Sequence, residues 1–367
     1  MSKTTIEQLG ELGQSVWLDY ISRSLLRSGR LKELIGLGIR GMTSNPTIFD
    51  KAINSGSDYD EQIGELHGKG NTLFETYDDI TIKDIQDAAD IFRPTYDKTE
   101  GLDGYVSLEI NPKLAYDTQE TIEEGKRLAA KVNRPNVMFK VPATDAGYEA
   151  ISALLAQGIN VNVTLIFSLE QYKKTAAAYL EGIKRLLKNK GNARSVRSVA
   201  SVFVSRIDTA VDKLLDQLQG QDEAASLKGK AAVANSNLIY RAYSKMFSGN
   251  EFKEMEKQGA AVQRVLWGST GTKDPAYSDI KYMEELIARN TVNTVPENTL
   301  EAFLDHGVAQ ETLTPDADEA QGVVNSLQRL GIDINDVCAK LLEDGVVAFE
   351  QSFDSLLNAI EKKTRSM

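Results

Sequence analysis

Apolar residues recur along this chain in two rhythms. Short runs alternate at every second position, and longer stretches between them repeat every three to four residues. Eight short runs read as strands: SVWLDY (15–20), IRGMTSN (39–45), YVSLEI (105–110), NVMFKVP (136–142), NVNVTLIF (160–167), SVASVFVS (198–205), RVLWGST (264–270) and NTVNTVP (290–296). The intervening stretches read as helices. Ser168-x-x-Gln171 predicts a capping box opening a helix that closes on Gly191. Thr294-x-x-Glu297, with Pro296 in the first turn, predicts another helix start. NPKLAYDTQETIEEGKRLAAKV reads as a helix with Pro112 near its beginning.

Strands that alternate with helices imply right-handed crossovers and a parallel sheet. Eight such units predict an α/β fold of the (β/α)8 TIM-barrel type. About 60 residues separate the second and third runs, against roughly 30 for a minimal unit. We therefore expect one barrel domain over 1–367, with a helical insertion at about 46–103 and a helical C-terminal extension at about 300–367. No linker, repeat or low-complexity tract divides the chain.

Composition narrows the function classes. Lys and Arg number 42 against 53 Asp and Glu, a formal charge of −11. Such a surface repels nucleic acid and anionic membranes, so an anionic ligand needs a few locally placed cations. No run of 18 apolar residues occurs, and the first residues do not read as a secretory signal. Cys338 is the only cysteine, which fits a reducing, cytoplasmic setting. His67 and His306 are the only histidines, and neither has a partner at ligand spacing, so no metal site is expected. GLGIRG (36–41) matches G-x-G-x-x-G but precedes a strand instead of following one, and reads as a chance match.

The strands of a parallel barrel are normally apolar on both faces. Here one face is polar. Ser15, Trp17 and Asp19 oppose Val16, Leu18 and Tyr20; Ser107 and Glu109 oppose Val106, Leu108 and Ile110. Lys140 shares a face with Met138, opposite Val137, Phe139 and Val141. Asn160, Asn162 and Thr164 oppose Val161, Val163 and Leu165, and Ser201 and Phe203 oppose Val202 and Val204. The apolar faces should pack on helices and the polar faces should point inward, near the C-terminal rim where barrel enzymes hold their chemistry. A lone strand-end lysine ordinarily snorkels to water, and Asp19 or Glu109 alone could be rim charges. So many buried polar groups serving structure alone would be costly, at about 1–3 kcal/mol for each one unsatisfied. A hollow site explains the coincidence. Its inventory is one amine, two carboxylates and neutral hydrogen-bonding groups. Enclosure disfavours an ammonium, and a neutral lysine attacks a carbonyl to give an imine. Two carboxylates can shuttle the protons that imine and aldol steps require.

Five segments, GMTSNPTIF, VSLEINPKLAYDT, MFKVPAT, NVNVTLIFS and SVFVSRID, in this order and spacing, resemble the transaldolases of the pentose phosphate pathway, in their longer bacterial-type subgroup. The likeness runs from about residue 15 to 300. It implies a cofactor-free barrel that moves a dihydroxyacetone unit between sugar phosphates. It further implies that Lys140 forms the imine, that Asp19 moves the carbon-4 hydroxyl proton, and that Glu109 and Thr164 hold a proton-shuttling water. Asn45 and Asn162, with Thr43, would bind donor hydroxyls, while Ser201 and Arg206 meet the substrate and its phosphate. Relatives that act as simple aldolases tend to carry tyrosine where Phe203 stands; a phenyl ring cannot donate a proton to release free dihydroxyacetone. Many transaldolases place a second phosphate-binding arginine in an SFR segment after the seventh strand. Here the segment is WGSTGTKDP, which leaves Ser269 and Lys273 as substitutes. The rival readings are a fructose 6-phosphate lyase and a non-catalytic sugar-phosphate-binding barrel.

Overall fold

The computed structural model describes residues 3–218 and 222–366. Its sheet is a closed parallel barrel of eight strands in sequence order. They are β1 (Gln14–Leu18), β2 (Gly41–Thr43), β3 (Val106–Glu109), β4 (Val137–Pro142), β5 (Val161–Ile166), β6 (Ser198–Phe203), β7 (Arg264–Gly268) and β8 (Thr291–Val295). Each falls on one of the eight alternating runs; β1 begins one residue earlier, at Gln14, and ends before Asp19 and Tyr20. Closure comes from β8 pairing with β1, with Trp17 opposite Thr294.

The two faces separate as the alternation predicts. Val16, Leu18, Val106, Leu108, Val137, Phe139, Val161, Val163, Val202 and Val204 belong to the large apolar cluster shared with the helices. Trp17, Tyr105, Met138, Val199, Leu266 and Val292 form a separate cluster and fill the middle of the barrel. The interior is therefore hollow only near the C-terminal ends of the strands. Its opposite end is closed by polar groups: Arg264 pairs with Asp103 at 2.8 Å, and Ser15 donates to Asp103 at 2.8 Å. Asn160 is spent there as well, donating to the carbonyls of Pro135 and Val137 and accepting from the Arg197 N–H.

Glycine matters at β2. A Cβ on Gly41 would lie 2.6 Å from the Trp17 ring, which is fully buried. The wide indole on β1 thus requires a bare backbone on its neighbour.

The Ser168 capping box forms and opens the Leu169–Lys188 helix. Two helix expectations are corrected. Thr294 is no cap, because it still belongs to β8 and its hydroxyl meets Thr43; Pro296 is the N-cap residue of Glu297–His306. The stretch from Pro112 breaks in two, a 3-10 turn at Pro112–Leu114 and a helix at Thr118–Val132 capped by Asp117. The Asp117 carboxylate competes for the Glu120 N–H and restarts the helix there.

Three helices, Pro46–Asn54, Asp60–Gly68 and Leu73–Lys98, lie between β2 and β3. The chain ends in a 32-residue helix, Ile334–Arg365, packed along Pro46–Asn54. Thr47 and Ser352 join these two helices by a 2.7 Å hydroxyl contact. Among the described residues no helix is long and apolar enough to cross a membrane.

Candidate active site

Glu109 ends β3, and the register sets it opposite Lys140 on β4. Both side chains are buried, 5% and 6% exposed. The Lys140 amine lies 3.0 Å from Glu109 Oε2 and donates to the Ser44 carbonyl at 3.1 Å. Glu109 Oε2 sits off the directions a hydrogen bond needs, so charge holds the pair. Burial pushes the Glu109 carboxyl above the usual range, opposed by the Lys140 charge. The lysine is thus enclosed, as the alternation predicts, but it is not alone: a carboxylate able to exchange a proton with it lies 3.0 Å away.

Asp19 follows directly on β1, and its N–H continues the ladder to the Val295 carbonyl at 2.8 Å. Its carboxylate accepts from Thr43 Oγ1 at 2.7 Å, and Thr43 in turn contacts Thr294 Oγ1 at 2.7 Å. Burial raises the Asp19 carboxyl. The Thr43 hydroxyl opposes this most, then the charges of Lys140, Lys273 and Arg206. Because β1 has ended, Tyr20 leaves the outer apolar face assigned to it by alternation and lines the cavity instead.

Asn162 and Ser201 are tied together. Ser201 donates to Asn162 Oδ1 at 2.6 Å, and Asn162 Nδ2 donates to Ser107 Oγ at 3.0 Å. Thr164 is fully buried, and its hydroxyl has no hydrogen-bond partner among the described residues. It sits where the β5–β6 register slips between Val163 and Ile166, and Leu165 beside it adopts φ +58°. A bulge of this kind re-aims the neighbouring side chain. Asn45 caps the Pro46–Asn54 helix through Oδ1, which accepts from the Ile48 N–H at 2.9 Å and leaves its amide NH2 toward the cavity.

A cavity of about 400 Å³ opens above these groups. Asp19, Thr43, Asn45, Lys140, Thr164, Ser201, Phe203, Arg206, Ser269 and Lys273 all border it. Glu109 and Asn162 lie behind that lining and reach it through Lys140 and Ser201. Arg206 stands over the Phe203 ring at 5.2 Å, and Phe203 meets Phe167 edge-on at 5.5 Å. Among the described residues neither Arg206 nor Lys273 has an acidic partner within ion-pair distance. Two unneutralised cations facing one cavity suit a multiply charged anion.

Sequence reasoning missed several lining residues. Thr294 was legible in principle, since TVNTV alternates and its inward members are Val292 and Thr294. Lys51 and Thr47 come from the helix after β2, and Phe349 from the C-terminal helix. The Phe349 ring lies 5.8 Å from the Lys140 amine. Within its own helix Phe349 looks like any apolar-stripe residue, beside Val346 and Phe353. No local signal marks it.

A closed (β/α)8 barrel with a buried lysine, two carboxylates and cations without acidic partners at its C-terminal mouth has the architecture of a barrel enzyme. The comparisons agree with that class. The family described as Transaldolase/Fructose-6-phosphate aldolase matches residues 16–360. A protein named Transaldolase from Saccharopolyspora erythraea is 46% identical over 364 residues, 99% of this chain and 98% of its own. One of the same name from an Arthrobacter species is 47% identical over 360 residues, 98% of this chain and 97% of its own. The Transaldolase of Mycobacterium tuberculosis is 47% identical over 352 residues, 95% and 94% of the two chains. The chain belongs to the transaldolase/fructose-6-phosphate aldolase family.

Proposed function

We propose that this protein is a transaldolase. It transfers a dihydroxyacetone unit from sedoheptulose 7-phosphate or fructose 6-phosphate to glyceraldehyde 3-phosphate or erythrose 4-phosphate. The observation that carries the reading is the enclosed Lys140–Glu109 pair, 3.0 Å apart, beside a cavity that Asp19 also borders.

Glu109 takes a proton from Lys140, and the neutral amine attacks carbon 2 of the donor ketose. Loss of the carbon-2 oxygen as water leaves the protonated imine, with Glu109 and Thr164 holding the water that relays protons. The unpartnered Thr164 hydroxyl supports that role. Asp19 then removes the carbon-4 hydroxyl proton, and the electron pair of the carbon 3–carbon 4 bond moves into the iminium. A raised carboxyl is the stronger base, and burial raises Asp19. The aldose product leaves, the enamine attacks the acceptor aldehyde, Asp19 returns its proton, and water releases the new ketose. Thr43, Asn45, Asn162 and Ser201 order the hydroxyls of the bound sugar. Arg206, with Lys273 and Ser269, holds the phosphate. The family also contains fructose 6-phosphate aldolases. Phe203, which has no proton to give the enamine, favours transfer over release.

Borohydride reduction in the presence of fructose 6-phosphate, followed by peptide mass mapping, tests the covalent step. The expected result is a single mass gain on the peptide bearing Lys140. Labelling elsewhere, or none, overturns the reading. With erythrose 4-phosphate present, sedoheptulose 7-phosphate forms; with donor alone, free dihydroxyacetone does not accumulate.

A further inference from the structure

The two elements that bring Arg206 and Lys273 to the cavity are fastened to each other outside it. Arg206 is the second residue of the Ser205–Leu215 helix, and Lys273 lies in the segment between β7 and β8. Ser205 N–H donates to the Ser269 carbonyl at 3.0 Å, and their hydroxyls meet at 3.1 Å. Further from the cavity, two tyrosines of the second element reach two aspartates of the first. Tyr282 donates to Asp208 Oδ2 at 2.8 Å, and Tyr277 donates to Asp212 Oδ2 at 2.7 Å. Each aspartate spends its other oxygen on a backbone N–H, Ala232 at 2.7 Å and Gly229 at 3.0 Å. Lys281 lies against both rings, 5.6 and 5.7 Å from their centroids, and pairs with Glu285 at 2.7 Å. Asp208 and Asp212 are one helical turn apart, so they share a face of the helix.

This arrangement is more than a core contact needs. Asp208 and Asp212 are almost fully buried, 1% and 9% exposed, and neither has a cationic partner among the described residues. Keeping two carboxylates there costs desolvation that apolar side chains would avoid. The result is directional. The two hydroxyl–carboxylate bonds fix the register between a helix and a segment whose residues 273–276 face solvent, Tyr282, itself buried, from the Lys281–Glu284 turn and Tyr277 from the exposed part. Lys273 stands four residues before Tyr277 on that loop. A flexible ammonium binds phosphate as a point charge, so its affinity depends on where its stem is anchored.

We propose that the Asp208–Tyr282 and Asp212–Tyr277 bonds set the spacing of Arg206 and Lys273, making these four residues positioning residues for recognition of the substrate's phosphate. The inference rests on the reading of Arg206 and Lys273 as the phosphate-binding pair. None of the four borders the cavity, so their effect falls on binding of the phosphorylated end and not on the imine steps.

The experiment uses the full chain with Tyr277→Phe, Tyr282→Phe and the double variant. Each deletes a hydroxyl and keeps the ring. Three quantities are read: KM and kcat for fructose 6-phosphate, the competitive inhibition constant of orthophosphate, and kcat/KM for unphosphorylated fructose with erythrose as acceptor, followed by the glyceraldehyde released. The single variants should raise KM and the orthophosphate constant about three- to tenfold, less than the full effect of a hydrogen bond to a charged acceptor because the lost bond acts on the phosphate only through the loop. kcat and the activity on free fructose stay within about twofold of the parent. Tyr240→Phe, which loses a part-buried hydroxyl bond to the Arg289 carbonyl elsewhere, serves as the structural control and leaves both constants unchanged. Unchanged constants in folded Tyr277→Phe and Tyr282→Phe proteins overturn the proposal, as does an equal loss on free fructose. Arg206→Ala separates the two layers. If it raises the orthophosphate constant while the tyrosine variants do not, only the positioning idea fails. If it has no effect either, the phosphate reading fails and takes the positioning idea with it.

Discussion

At the scale of single residues, burial acts most directly on the two carboxylates of the site. Asp19 and Glu109 are both pushed upward because protein replaces water around them, and nearby cations only partly offset this. The sign has a consequence. A carboxylate raised above its ordinary value of 3.8 is protonated at a higher pH than a surface aspartate. If Asp19 is the base, the acid limb of the cleavage step lies above that value, and activity is lost as pH falls through it. Asp19→Asn removes this limb and slows carbon–carbon cleavage by about 100-fold or more, while imine formation persists. Rapid-quench measurement of cleavage, alongside borohydride trapping, checks both halves. Full-rate cleavage in the variant would remove Asp19 from the step. Lys140, Asp19 and Glu109 were legible in the chain because a charged group within a period-two apolar run is conspicuous. Phe349 and Lys51 were not, because each obeys the ordinary pattern of the helix that carries it.

At the scale of elements, the strands position the chemistry by register. One pairing sets Glu109 beside Lys140, and the next sets Lys140 beside Asn162. Two of the irregular backbone points fall at the site. Leu165 and Ser269 both have positive φ, at +58° and +54°, and each adjoins a cavity residue or is one. Such backbone costs of order 1 kcal/mol or more and persists only where the surroundings hold it. Gly41 is the contrary case, a backbone kept bare for a neighbouring ring. Gly41→Ala forces a Cβ into the indole of Trp17, and we expect a loss of about 1–3 kcal/mol in unfolding free energy. Denaturant titration measures it; a variant as stable as the parent means the Trp17 layer yields more easily than close packing allows. Helix boundaries were less legible than strands. Thr294 satisfies a capping pattern in sequence, yet the ladder with β1 claims it first.

At the scale of the whole molecule, a net negative chain gathers cations at the mouth of its barrel. The chain carries −11, while Arg206, Lys273 and Lys51 border the cavity without an acidic partner among the described residues. A local positive field in a negative molecule raises the encounter rate for phosphorylated sugars and is weakened by salt. Lys51 is exposed on the Pro46–Asn54 helix, so its contribution is mainly to encounter. Lys51→Met should lower kcat/KM for fructose 6-phosphate by about two- to fivefold at low ionic strength, and the difference should vanish near 0.5 M salt. Stopped-flow or steady-state rates across a salt series measure this. A deficit that is constant across the series would instead place Lys51 in direct contact with the bound sugar.

By itself the sequence determined the eight strands, their parallel order and the side of each strand that carries polar groups, because these follow from local periodicity and from the handedness of crossovers. It also determined which lysine is out of place among apolar neighbours. Tertiary structure alone decided that the barrel is hollow only at its mouth, that the last helix brings Phe349 over the amine, and that Asp208 and Asp212 answer to Tyr282 and Tyr277. These contacts join residues that are dozens to hundreds of positions apart, and no local pattern encodes which faces of two distant elements will meet. Packing settles that, since it depends on the shapes of all the side chains between them.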